Sequence, residues 1–133
     1  MLKLIQTKGD VLDKYSYLRL EHGGYPLYVI HGCNAQGVMG SGIAKQVKVK
    51  YPEAYTEYRR MYHAFPKGKM LGRYCVAGVG SDFSIINAVT QEFYGTDGKK
   101  YTSYDAVSNI FKDIAKDFKG QKVVMAIPKK VCI

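Results

Sequence analysis

The sequence predicts an α/β domain in which helices cover both faces of a mixed central sheet. Three observations carry that expectation. Short apolar runs rich in β-formers, Leu27-Tyr28-Val29-Ile30 and Val123-Val124-Met125-Ala126-Ile127, suit strands buried on both faces. Two longer stretches, 52–62 and 103–118, repeat apolar residues at helical spacing. Glycine, proline and polar clusters separate these segments, and no linker or repeat divides the chain. A length of 133 residues fits one domain, 1–133.

The elements follow in order. Leu2, Leu4 and Gln6 alternate with Lys3, Ile5 and Thr7, a first strand that Gly9-Asp10 closes. Pro26 precedes the apolar strand 27–30. The next stretch, His31-Gly32-Cys33-Asn34-Ala35-Gln36-Gly37-Val38-Met39-Gly40-Ser41-Gly42, is a loop whose glycines permit unusual dihedrals or close approach of a ligand. A helix is expected from about Gly42 to Lys50. Pro52 ends it and opens a second helix, with Ala54, Tyr55, Tyr58, Met61 and Tyr62 on its apolar face. Segments 73–79 and 83–89, joined by Gly80-Ser81-Asp82, predict a hairpin. Ser103 is a suitable cap for a helix that buries Tyr104, Val107, Ile110, Phe111, Ile114 and Phe118 and stops at Gly120. Residues 123–127 form a last buried strand, closed by Pro128.

Composition narrows the functional classes. No apolar run approaches the roughly 18 residues of a membrane span, and the N-terminus is too short for a signal peptide, so a cytoplasmic protein is expected. Cys33, Cys75 and Cys132 are widely spaced and odd in number, which supports neither a disulfide framework nor a zinc site. Cys75 alternates into a strand and suits the core, whereas Cys33, in the glycine-rich stretch, could be exposed. The net charge of +9 favours anionic partners without separating a nucleotide from a nucleic acid. A plain solubility surface accounts for it equally well.

The strand–glycine loop–helix from Val29 to Lys50 is the feature that could carry chemistry. Ligands in open α/β sheets sit beyond the carboxyl ends of strands. A helix start offers free N–H groups to phosphate, and its dipole adds roughly 0.3–1 kcal/mol. Gly40 and Gly42 would let the backbone approach an anion. The stretch has neither GxxxxGK[ST] nor GxGxxG order, so it is neither a P-loop nor a Rossmann fingerprint.

Several short motifs then fall in a familiar order. Lys8-Gly9-Asp10-Val11 after the first strand resembles the "GDI" opening of macro domains. Asn34 followed by Met39-Gly40-Ser41-Gly42-Ile43-Ala44 resembles their first ligand loop, "N…GxGIA". Ile85-Ile86-Asn87-Ala88-Val89-Thr90-Gln91 and Tyr101-Thr102-Ser103-Tyr104 resemble the middle strand and following helix of a compact subfamily. That subfamily contains ADP-ribose 1″-phosphate phosphatases and relatives that remove ADP-ribose from proteins. The resemblance covers nearly the whole chain and implies a macro-domain-like three-layer α/β/α fold with a mixed central sheet.

The resemblance also implies roles. Asp10, flanked by Gly9 and Val11, would accept a hydrogen bond from the adenine amino group, unless it only serves the turn after Gly9. Asn34 would hold the distal ribose through its amide and contribute to catalysis, unless it simply shapes a tight turn. Gly40, Ser41, Gly42, Ile43 and Ala44 would present N–H groups to the diphosphate or ribose. His31 matches a strand-end histidine of phosphatase-like members and would transfer a proton, unless it is structural. Some relatives place a lysine where Gln91 stands here, so Gln91 is a binding candidate and a lysine-based removal of ADP-ribose is not supported. No cofactor or metal is implied.

Three functions compete. One is hydrolysis of ADP-ribose 1″-phosphate or an ADP-ribosyl ester, with ADP-ribose, its 1″-phosphate or an ADP-ribosylated protein as partner. The second is ADP-ribose binding without turnover. The third is nucleic-acid binding, suggested by charge alone. The sequence carries no recognisable nucleic-acid motif, and its aromatic residues do not interleave with Lys or Arg in one obvious patch. The family pattern continues beyond the last strand with "PxIGxGLxGG", a second ligand loop, then a helix and strand. Here the chain reads Pro128-Lys129-Lys130-Val131-Cys132-Ile133. The resemblance therefore implies a domain lacking that C-terminal loop, helix and strand, with weak binding, little turnover and a tendency to self-associate as the expectation.

Overall fold

A computed structural model of the chain describes residues 11–13, 25–40, 42–66, 68–93 and 103–128. Strand β1 spans Leu27–Asn34, helix α1 Gly42–Lys50 and helix α2 Pro52–Ala64. Strands β2 (Tyr74–Gly80) and β3 (Phe83–Gln91) form the expected hairpin, and helix α3 (Tyr104–Asp117) leads to β4 (Val124–Ala126). The first strand expected at 2–6 lies outside the described residues, as do Gly9, Asp10, Ser41 and the tail from Lys129.

The four strands lie in the order β2-β3-β1-β4. Strand β1 pairs in parallel with both β3 and β4, while β2 and β3 are antiparallel, so the sheet is mixed as expected. Alternation divides it into two faces. Leu27, Val29 and Cys33 of β1, with Phe83, Ile85 and Val89 of β3, face α1 and α2. Ile30, Ile86 and Ala88 face Ile110 and Ile114 of α3 on the other side. That sandwich of helices, sheet and helix is the three-layer architecture.

The helices begin where their local chemistry dictates. Pro52 opens α2, where a missing N–H costs nothing. Ser103 caps α3 by accepting the Ala106 N–H at 3.2 Å. Gly120, at φ +82°, supplies the left-handed turn after α3.

Four expectations need correction. Cys33 is buried, because the parallel ladder with β3 runs on past Ile30 and carries it into the core. Cys75 is only half-buried, since β2 is an edge of the sheet among the described residues. Tyr104 is 58% exposed, because Ala106 takes the inward position in the first turn of α3. The last strand is three residues long and largely half-buried rather than fully buried, pairing on one side with β1.

Candidate functional site

Strand β1 extends to Asn34, beyond the apolar run that marked it in the sequence. At its carboxyl end Asn34 stands in register with Gln91, the last residue of β3. Both parallel strands therefore deliver their ends to one edge of the sheet. The loop 35–41 leaves from that edge and enters α1.

The loop is built from within. The Asn34 side chain accepts the Gln36 N–H at 2.9 Å and donates to the Val38 carbonyl at 3.0 Å. Gln36 donates its side-chain amide to the Glu92 carbonyl at 2.9 Å, tying the loop to the end of β3. Met39 sinks into the cluster formed by Cys33, Tyr58, Met61, Met70 and Val89. Helix α2 holds the loop from behind. The Tyr58 hydroxyl donates to the Asn34 backbone carbonyl at 2.7 Å, lies 2.9 Å from Asn34 Oδ1, and accepts the Gly37 N–H at 3.0 Å. Arg59 donates to the Gly37 carbonyl at 2.8 Å. Burial raises the Tyr58 phenol well above its ordinary range, so the hydroxyl stays protonated.

On its outer side no described residue covers the loop at Gly40 or Gly42. A side-chain carbon placed on Gly40 or Gly42 would meet no described residue within 4 Å. Gly42 adopts φ +60°, a conformation glycine reaches without strain. The first turn of α1 contains no acidic residue of its own. Ile43 and Ala44 are half-buried and pack their side chains inward. Val11 packs on the same cluster as Ile43, and the Leu12 carbonyl accepts the Tyr51 hydroxyl at 2.7 Å. The segment that follows Asp10 is thus docked beside α1 and the start of α2.

His31 sits differently from the strand-end position expected of it. Three further residues of β1 follow it, and the pleat aims its ring into the sheet–helix interface, where it is fully buried. Its Nε2–H donates to Asn87 Oδ1 at 2.6 Å, from the neighbouring strand and in register. Asn87 in turn donates to the Ala54 carbonyl of α2 at 2.9 Å and contacts the Cys75 sulfur at 3.4 Å. Desolvation lowers the His31 pKa to about 4, partly offset by the Asn87 hydrogen bond, so the ring is neutral at pH 7. Cys33 lies 3.7–3.9 Å from both ring nitrogens. Burial pushes its thiol well up, which keeps it protonated and unreactive.

Of the expected site residues, Asn34, Gly40, Gly42, Ile43, Ala44 and Gln91 converge on one edge, Val11 lies against the same helix, and His31 lies beneath. Gln91 donates its amide to the Phe93 carbonyl at 2.6 Å. The sequence reading missed Tyr58 and Arg59 as parts of the site, and gave Asn87 no role. Two carried a signal: a buried tyrosine hydroxyl needs a partner, and a lone amide in an apolar strand needs one too. Nothing in the sequence marked Arg59. No group of His, Cys, Asp and Glu suited to a metal ion occurs among the described residues.

No family model matches the chain. It is 35% identical over 86 residues to the ADP-ribose 1″-phosphate phosphatase of Candida glabrata, covering 65% of this chain and 43% of the relative. It is 28% identical over 125 residues to the enzyme of that name from Saccharomyces cerevisiae, covering 92% of this chain and 65% of the relative. The chain therefore spans less than two thirds of these curated relatives. Among solved structures, a macrodomain protein from Streptomyces coelicolor superposes with a TM-score of 0.66 at 21% identity, covering 80% of this chain and 69% of the other. The macrodomain of Mycobacterium tuberculosis DarG gives 0.65 at 18% identity, covering 91% and 93%. Thermosipho africanus DarTG, solved in complex with ADP-ribose, gives 0.63 at 19% identity, covering 79% and 30%. The three-layer fold, the loop after its parallel central strand and these likenesses agree: this chain is a macro domain in fold.

Proposed function

We propose that this chain binds ADP-ribose through the loop from Cys33 to Ala44 and hydrolyses ADP-ribose 1″-phosphate. The observation that carries binding is the backbone at Gly40 and at Gly42, the latter at φ +60°, where a side-chain carbon would meet no described residue, set between the end of a parallel strand and the start of a nine-residue helix. Its N–H groups suit a diphosphate. The curated relatives named above supply the substrate class. An ADP-ribosylated protein is a further partner of the same chemistry. Asp10 is assigned to the adenine amino group, Gln91 to the ligand edge beside Asn34, and Ser41 to the N–H row, on the strength of the motif order in the sequence.

His31 acts in this scheme as a positioning residue. Its ring is sealed under the sheet edge and bonded to Asn87, so it steadies the strand that ends at Asn34 rather than meeting substrate. That burial also favours a second function, ADP-ribose binding without turnover. Asn34 points the same way, because its amide is committed to Gln36 and Val38 in the loop.

Calorimetry with ADP-ribose tests the binding, with AMP and ribose 5-phosphate as comparison ligands. Saturable heat with ADP-ribose, stronger than with either fragment, is expected; no heat at millimolar ligand sinks the proposal. Phosphate release from ADP-ribose 1″-phosphate then separates the hydrolase from the binding module.

A further inference from the structure

Gly37 is held by both of its backbone polar groups. Its N–H goes to the Tyr58 hydroxyl at 3.0 Å and its carbonyl to the Arg59 guanidinium at 2.8 Å. These two side chains are consecutive on α2, and they grip the two successive peptide groups that flank the Gly37 α-carbon. The glycine is also sterically required. It sits at φ +83°, and a side-chain carbon there would lie 2.6 Å from Arg59 Nη1 and 2.9 Å from the Tyr62 ring. Arg59 is itself held: its guanidinium lies 5.0 Å from the Tyr62 ring centroid, and Nη2 is 3.2 Å from His63 Nε2.

The same Tyr58 hydroxyl reaches the Asn34 carbonyl at 2.7 Å, so α2 fixes the loop at its origin and at its turn. Two residues after Gly37, Met39 is buried, and Gly40 follows with no described residue over it. Little slack separates the clamp from the N–H groups that would meet an anion. A preorganised loop binds more tightly because less ordering remains to be done on binding.

Resting on the ADP-ribose function proposed above, we infer that Tyr58 and Arg59 are positioning residues that set ligand affinity by clamping Gly37, without touching the ligand themselves. A tyrosine serving only the core would contribute packing and stability. A clamp contributes loop order and affinity as well.

The test uses the whole chain and compares wild type with Tyr58→Phe, which keeps the ring packing, and with Ile114→Val, a core change on the opposite face of comparable cost in stability. Two quantities are read well below the melting temperature: amide exchange across 35–40 and the Kd for ADP-ribose. Tyr58→Phe should speed exchange in that segment selectively and raise Kd by roughly three- to tenfold, the worth of one hydrogen bond. Ile114→Val should do neither. Arg59→Ala should raise Kd in the same direction, and Arg59→Lys should restore only part of it, since a lysine lacks the planar fork that stacks on Tyr62 while bonding Gly37. Unchanged Kd in Tyr58→Phe, or an equal rise in Ile114→Val, overturns the clamp. A wild type that takes no ADP-ribose instead overturns the proposed function, and the clamp's ligand role falls with it, which the wild-type titration shows before any variant is made.

Discussion

At the scale of single residues, His31 is the group whose chemistry the fold changes most. Its ring is neutral when folded, with a pKa lowered by burial from 6.5 to about 4. Unfolding restores the ordinary value, so between those two pH values the unfolded chain binds a proton that the folded chain refuses. The stabilisation is complete above about pH 6.5 and is lost as pH falls toward 4, by something on the order of 3 kcal/mol. Urea unfolding at pH 7 and pH 4.5 should show that loss in wild type and much less of it in His31→Gln. An identical pH dependence in the two proteins would mean other groups are responsible. Glycine substitutions separate strain from obstruction at the candidate site. Gly42→Val must adopt φ +60°, so any loss it shows mixes the two. Gly40 carries no such conformation, and no described residue lies within 4 Å of where its side-chain carbon would be. Gly40→Val should therefore leave the melting temperature within a few degrees and still weaken ADP-ribose by at least about tenfold. Normal affinity in Gly40→Val would move the ligand away from this loop.

At the scale of elements, the two helical layers divide the work. Helix α2 serves the loop, through Tyr58 and Arg59, and the buried amide of Asn87, through its Ala54 carbonyl. Helix α3 covers the other face with Ile110 and Ile114, and Tyr28 of β1 meets Phe118 edge-on at 5.0 Å between ring centroids. Near the C-terminal end of α3, Tyr74 of β2 donates a hydrogen bond to Asp117. Ile114→Ala should cost about 2–5 kcal/mol by emptying a fully packed position. Its effect on ADP-ribose affinity, measured where the variant is still folded, should be within twofold, because the sheet separates that residue from the loop. A large affinity loss would show that the α3 layer is coupled to the site. The helix boundaries themselves were legible. Pro52, Ser103 and Gly120 act through local rules that no packing overrides. The inward face of α3 was legible except at its first turn, where Ala106 rather than Tyr104 turns to the sheet.

At the scale of the whole molecule, twenty basic residues against eleven acidic ones give a charge of +9. Part of it lies beside the site: Lys45, Lys48 and Lys50 of α1 are exposed, with Lys48 4.4 Å from the Tyr55 ring centroid. Basic and aromatic side chains meet in pairs along α1 and α2, with Lys50 5.8 Å from the Tyr51 ring centroid and Arg59 5.0 Å from that of Tyr62. Such a field speeds the arrival of a small anion and is screened by salt. The association rate of ADP-ribose should fall as ionic strength rises from about 0.01 to about 0.15 M, while dissociation changes little. A salt effect confined to dissociation would place these charges in direct contact with the ligand instead. No helix among the described residues is long and apolar enough to cross a membrane.

The sequence by itself determined the alternation of strands and helices, the hairpin, the helix caps and the glycine-rich connection at the centre of the chain. These depend on periodicity, proline and glycine geometry, which act over a few residues. It also ordered the motifs that resemble a macro domain. Only the tertiary structure decided that His31 faces inward, that Cys33 is sealed beneath the loop and that Tyr58 and Arg59 reach from α2 to Gly37. Each of those facts depends on where β1 stops and on which face of α2 meets it. Strand β1 runs four residues past its apolar core because β3 pairs with it along the whole length, a long-range contact that no local pattern encodes.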